Sequence, residues 1–303
     1  MRKAFMQTVM EMAGRDDRIV IIAPDIGFSV FEPFMNAFPG RFWNTGISEQ
    51  NTMGLAAGLA LSGYLPIVYS IVPFVTLRCY EQVKVDVAFQ KAHVTIVGVG
   101  GGLSYGPAGP THHAIEDIAA MRALPGMTIV CPGDPLEASQ LTRQAIELPG
   151  PCYVRLGRGG EPIIHAPGDQ VVIGRGFELI SGSDGALVTT SNMLETGKRW
   201  VEELSTAGVK ASLISMHTIK PIDADLVRGI IQRGSPVATL EEHNILGGLG
   251  SAVAEIIAES GISVPFRRFG IKDVFVDAVG SQNYLRRACG LDRPDLAFFK
   301  ERG

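Results

Sequence analysis

The stretch Asn44-Thr45-Gly46-Ile47-Ser48-Glu49-Gln50-Asn51, followed by Gly54-Leu55-Ala56-Ala57-Gly58-Leu59-Ala60, decides how the first half of this chain is read. A strand ends here, and a helix of small, closely packing residues begins with a carboxylate at the junction. A glutamate in a first helical turn complements the positive end of the helix dipole, and Glu49 alone asks for no further role.

Outward from this junction the same strand-then-helix alternation recurs. Apolar, β-branched runs at 19–23, 65–71, 94–99, 128–131 and 153–156 read as strands, and several are apolar on both faces. That character belongs to a parallel sheet covered by helices on each side. Helical periodicity predicts helices at 48–62, 76–90, 115–124 and 135–147; Asp134 before Pro135 is an N-cap with proline at the first helical position. Residues 157–176 are rich in Gly and Pro and read as a linker. Strands are then expected at 186–190, 211–216, 237–241 and 266–270, with helices at 193–207, 223–232, 251–260 and 281–289. The fold class is therefore α/β with two domains, 1–165 and 181–303, joined through 166–180, each a mostly parallel sheet with helices on both faces.

A length of 303 residues suits two domains. Net charge is -4, so no general attraction to nucleic acid or an anionic membrane is expected. The four cysteines, Cys79, Cys131, Cys152 and Cys289, are far apart and form no C-x-x-C pair, which argues against a zinc site or disulfide framework. They read as reduced, mostly buried thiols. No signal peptide and no apolar run of about 18 residues is seen, and a cytoplasmic location is expected.

Three segments carry chemistry. Gly46-Ile47-Ser48-Glu49-Gln50 resembles the G-I-[RS]-E-[HQ] segment of the transketolase family. Phe74-Val75-Thr76-Leu77-Arg78-Cys79-Tyr80-Glu81-Gln82 resembles the end of its T-F-x-x-F-x-x-x-R-A-Y-[DE]-Q segment, and Gly109-Pro110-Thr111-His112 matches its G-P-T-H motif. The resemblance runs from about Phe5 to about Leu291 and implies the fold of the family's pyrimidine-binding and C-terminal domains. It implies thiamine diphosphate as cofactor, with Glu49 hydrogen-bonding and activating the aminopyrimidine. For that Glu49 must keep a proton near neutral pH, which calls for an apolar, partly desolvated pocket. Phe74 would stack on the pyrimidine, and Ile71, Leu77 and Ile26 would line its site, leaving a more aliphatic pocket than usual.

By the same resemblance His112 contacts the reacting substrate, while Arg158, in Leu156-Gly157-Arg158, and Ser29, in Pro24-Asp25-Ile26-Gly27-Phe28-Ser29, bind its anionic end. Asp25 would help form the subunit contact. His113 reads as a helix-start or surface histidine. The Glu241-Glu242-His243 segment and its following glycines resemble a C-terminal-domain signature, an interface and turn motif with His243 reaching toward a partner's site. Ala108 stands where transketolases have an aspartate for a donor hydroxyl, and Gly100 where many have a histidine, so the ordinary sugar preference is not implied.

The family holds the cofactor's diphosphate through magnesium on a G-D-G motif, and none occurs here, since Gly133-Asp134 and Gly168-Asp169 are followed by Pro135 and Gln170. The resemblance thus implies a split enzyme. An N-terminal subunit would carry the diphosphate domain and the Mg2+ ligands, and two copies of each chain would form a heterotetramer that moves a two-carbon ketol unit from a ketose to an aldose. Alternatives are the small subunit of a 2-oxo acid dehydrogenase first component, a 1-deoxyxylulose-5-phosphate synthase-like enzyme, or a noncatalytic assembly subunit.

Overall fold

The computed structural model describes residues 1–27 and 29–300. Phe28, quoted in the segment above, and residues 301–303 lie outside the described residues.

The strands are β1 (Ile19–Ala23), β2 (Phe42–Asn44), β3 (Leu65–Ile71), β4 (Thr95–Val99), β5 (Thr128–Val130), β6 (Cys152–Leu156), β7 (Phe177–Ile180), β8 (Gly185–Thr189), β9 (Ala211–Ser215), β10 (Thr218–Lys220), β11 (Val237–Asn244) and β12 (Phe266–Ile271). Among the described residues they form two sheets, ordered β10-β5-β6-β4-β3-β1-β2 and β12-β11-β8-β9-β7. Every pairing is parallel except those of the edge strands β10 and β7. β1, β4 and β6 are buried along their whole length, as strands with apolar residues on both faces must be.

Helices cover both faces of the first sheet. On one side α1 (Arg2–Ala13) packs on a later helix, α3 (Pro135–Glu147); on the other α2 (Glu49–Leu61) lies on β3. Ala56 and Ala57 are the buried residues of α2's middle, and side chains this small let the helix axis approach the strand closely. In the second domain α4 (Leu194–Thr206), α5 (Ala224–Ile231) and α6 (Leu249–Ser260) do the same, with α7 (Gln282–Ala288) near the end.

Asp134 caps α3 as expected, accepting from the Glu137 N–H at 2.8 Å. Its other oxygen accepts from the N–H groups of Ile164 and His165, so the same carboxylate pins the linker. Burial would raise the Asp134 pKa; the hydrogen bonds from His165, Glu137 and Ile164 outweigh it and hold the group at about 2. Gln140 and Gln144 on α3 bind the Val171 and Ile173 N–H groups in the same way. The irregular segment is thus strapped to the first domain.

Two local expectations are corrected, and a strand is added. The helix expected over 76–90 is a short piece, Tyr80–Gln82, running into a π-helical stretch, Val83–Phe89. The one expected over 115–124 spans only Asp117–Arg122. β10, unforeseen, leaves the second domain to pair antiparallel with β5 of the first sheet.

A buried cation joins the domains. Arg155 on β6 is fully buried; its Nε donates to Asp117 Oδ2 at 2.8 Å, and its terminal nitrogens donate to the Ala114 carbonyl, Ser191 Oγ and the Glu242 carbonyl. Burial opposes its charge, but the Asp117 carboxylate more than offsets that and Arg155 holds its proton more firmly than in water. Replacing Arg155 by Met should strand Asp117 without its counter-charge. We expect a loss of about 3–5 kcal/mol in urea unfolding, the usual cost of breaking a buried pair from one side; a loss within experimental error would show that this joint does not hold the domains.

Candidate functional site

The chemically equipped side chains stand on the segments that leave the C-terminal ends of the first sheet's strands, where open parallel sheets place their ligands. Glu49 follows β2, Phe74 and Arg78 follow β3, His112 is on the loop after β4, and Arg158 follows β6.

These residues form one continuous row. Glu49 opens α2 with its side chain 6% exposed, and the Arg78 Nη1 donates to its Oε1 at 2.8 Å. The Arg78 guanidinium carbon lies 3.8 Å from the centre of the Phe74 ring, and the His112 ring meets Phe74 edge-on at 5.2 Å. Tyr105 stands 6.2 Å from His112, and the Arg158 guanidinium lies over Tyr105 at 5.2 Å. Thr111 Oγ1 and His112 Nδ1 are 2.9 Å apart, which fixes the imidazole against its own loop. A buried carboxyl thus sits at one end and a guanidinium at the other, with aromatic faces and an imidazole between.

The remaining expected residues are distributed differently. Ile71 and Ile26 are half-buried against the core, and Leu77 is 42% exposed. Ser29 is exposed; its N–H donates to Glu32 Oε1 at 2.7 Å, and it lines a groove with Arg2, Lys3 and Met6. Asp25, also exposed, exchanges hydrogen bonds with the Asn44 side chain through its own N–H and carboxylate. Arg2 and Lys3 went unremarked in the sequence. Their signal is placement, because two cations in the first turn of α1 oppose the helix dipole and ask for another reason to be there.

Two histidines are corrected. His113 is buried, not superficial, because the Gly102–Ala114 bridge folds its loop back over the sheet edge. His243 faces inward: its Nδ1 lies 2.7 Å from the Asn244 carbonyl and its Nε2 accepts from the Ala119 N–H, so it reaches no partner. Burial pushes its pKa down to about 4 and keeps it neutral.

Glu241 and Glu242, also in that motif, have separate structural tasks. Glu241 accepts from the Leu249 and Gly250 N–H groups and so caps α6. Glu242 accepts from Arg286 Nε at 2.7 Å and from Asn192 and Gln282. Asn192 and Gln282 also contact the Gly101 carbonyl and Ser104 Oγ, so the second domain grips the base of the loop that carries Tyr105 and His112.

At Gly100 the backbone has φ +84°, and a Cβ there would lie 2.0 Å from Tyr105 Cε2. Tyr105 therefore uses the room that a side chain at 100 would need.

Residues 1–161 match the transketolase pyrimidine-binding domain and residues 176–296 the transketolase C-terminal domain. The chain belongs to the transketolase family. It is 36% identical over 300 residues to a putative transketolase C-terminal section of Methanocaldococcus jannaschii, covering 98% of this chain and 94% of that protein. It is 36% identical to one of the subunits of the apulose-4-phosphate transketolase of Phocaeicola vulgatus, covering 97% of this chain and 94% of that protein. A solved split-gene transketolase, described as an inactive tetramer, superimposes with a TM-score of 0.87 at 33% identity, covering 98% of this chain and 94% of that one. The match runs nearly end to end in each case, so this chain corresponds to the C-terminal section of a transketolase.

Within this family member the use of space at Gly100 is open to test. Gly100→Ala should lower the melting temperature by combining left-handed strain with the Tyr105 clash. Adding Tyr105→Ala should recover part of that loss, by about 1 kcal/mol or more of coupling between the two sites. Strictly additive effects would mean the two residues do not compete for space.

Proposed function

We propose that this chain is the C-terminal subunit of a split, thiamine diphosphate-dependent transketolase that moves a two-carbon ketol unit from a ketose donor to an aldose acceptor. The observation that carries the reading is the row itself: a buried carboxyl, an aromatic face and an imidazole in sequence at the C-terminal edge of a parallel sheet. The niche between Glu49 and Phe74 suits a flat, nitrogen-rich ring, since the planar Arg78 guanidinium lies on Phe74 and hydrogen-bonds Glu49 there. Arg78 matches such a ring in shape only, because its charge differs.

Thiamine diphosphate, when bound, supplies the carbon nucleophile that adds to the donor carbonyl. Glu49 would hold a proton at its carboxyl for the pyrimidine, Phe74 would orient the ring, and Ile71, Leu77 and Ile26 would exclude water around it. His112 would donate a hydrogen bond to the reacting oxygen. Arg158 would bind the anionic end of the sugar, and Ser29, in its separate groove, would be a further anion contact. Arg2 and Lys3 beside Ser29 favour the same charge.

Magnesium and its ligands would belong to the N-terminal partner. Among the described residues no cluster of His, Cys, Asp and Glu is arranged to hold a metal ion. Ile47, Leu55 and Leu61 on or beside α2, the helix that Glu49 opens, and Val85 and Phe89 on the segment packed against it, are exposed apolar side chains. Such a concentration suits burial under a second polypeptide. We place two copies of each chain in a cytoplasmic heterotetramer. No described helix is long and apolar enough to cross a membrane.

Co-expression with the N-terminal subunit should give two-carbon transfer, reduced about 10²–10⁴-fold by Glu49→Ala, the range expected for losing a positioned proton-transfer group. A complex that binds thiamine diphosphate yet processes no ketose would overturn the reading. Arg158→Ala should raise KM for a phosphorylated acceptor about 10-fold or more while changing kcat little, as loss of one charge-assisted hydrogen bond predicts. Equal effects on an unphosphorylated acceptor would remove Arg158 from the anion site.

A further inference from the structure

Two partners compete for Glu49: the pyrimidine asked of it and the Arg78 guanidinium that contacts it in this chain. The two guests also claim the same place. The Arg78 guanidinium covers the Phe74 ring at 3.8 Å and takes up one Glu49 oxygen at 2.8 Å, which are the face and the carboxyl that a pyrimidine would use. A flat cation and a flat ring cannot both lie there.

The two partners differ in freedom. Glu49 is fixed in the first turn of α2 with its side chain 6% exposed, while the Arg78 side chain is 40% exposed. Arg78 also belongs to the turn between the one-turn helix Val72–Val75 and the helix starting at Tyr80, so its side chain can leave toward solvent without breaking a helix or a strand. Glu49 has no such exit.

We infer that Arg78 is a placeholder: its guanidinium occupies the pyrimidine niche, pairs with Glu49, and must withdraw when the cofactor enters. This rests on the reading of the niche given above. Cofactor binding would bear the cost of undoing a partly exposed ion pair and a cation–π contact. Together these weaken apparent affinity by about tenfold.

The test uses the complex with the N-terminal subunit, titrated with thiamine diphosphate at saturating Mg2+ and followed by calorimetry or intrinsic fluorescence, with no turnover required. Arg78→Met keeps an unbranched stem and removes the flat cation; it should bind the cofactor about tenfold more tightly than wild type. Arg78→Lys keeps the charge and loses the flat head, and should bind about threefold more tightly; it also serves if the Met variant fails to assemble. Unchanged or weaker affinity in whichever variant assembles overturns the placeholder, weaker affinity making Arg78 a cofactor ligand. A wild-type complex that binds no thiamine diphosphate removes the reading of the niche and the placeholder with it, whereas wild-type binding with no gain in the variants removes the placeholder alone.

Discussion

Arg155 carries a charge into the interior and thereby dictates what surrounds it. A buried guanidinium tolerates no loss of partners, and this one draws them from Asp117, from the loop after β4 through the Ala114 carbonyl, and from the second domain through Ser191 and the Glu242 carbonyl. Tyr153 adds its hydroxyl to the same Asp117 carboxylate at 2.7 Å. The loop bearing Tyr105 and His112 is therefore held from beneath by one domain and from the side by the other. A site on loops gains the precision of a site on rigid elements when its anchors are buried in this way.

The second domain contributes no side chain to the row from Glu49 to Arg158, yet the row depends on it. In the second sheet the crevice beyond the C-terminal ends of β8 and β11, a common ligand site in parallel sheets, is filled by Arg155, Gly101 and the Glu242–Arg286 pair. What would be a binding site in an isolated domain has become a socket for its neighbour.

Much of the fold was legible because its strands are buried on both faces. Ile19–Ala23 and Leu65–Ile71 read as continuous apolar runs, and the expected spans coincide with the observed ones. β10 was not legible: Thr218-Ile219-Lys220 is three residues long, and its partner β5 is remote in sequence. The π-helical turn at Val83–Phe89 escaped because a wider helix places much the same residues inward as an ordinary one. Of the residues proposed for the site, Glu49, Phe74 and His112 were picked out by motifs, and the structure sets all three in one row. The pairing of Glu49 with Arg78 was not visible, since nothing in two residues 29 positions apart announces that one side chain will lie against the other. Tyr105 was hidden for a similar reason, its importance arising from the empty position at Gly100.

The chain's punctuation and its hydrogen bonding divide the molecule differently. Glycine and proline mark a break near residue 166, but the first sheet is completed only by β10, about fifty residues later, and Val171 and Ile173 just past the break are tied to α3. Cutting at the compositional break would leave β5 with a raw edge, the kind of surface that recruits stray strands. The two halves are thus laced together, and evolution or engineering that trades one for a foreign counterpart must carry Thr218–Lys220 along as part of the first.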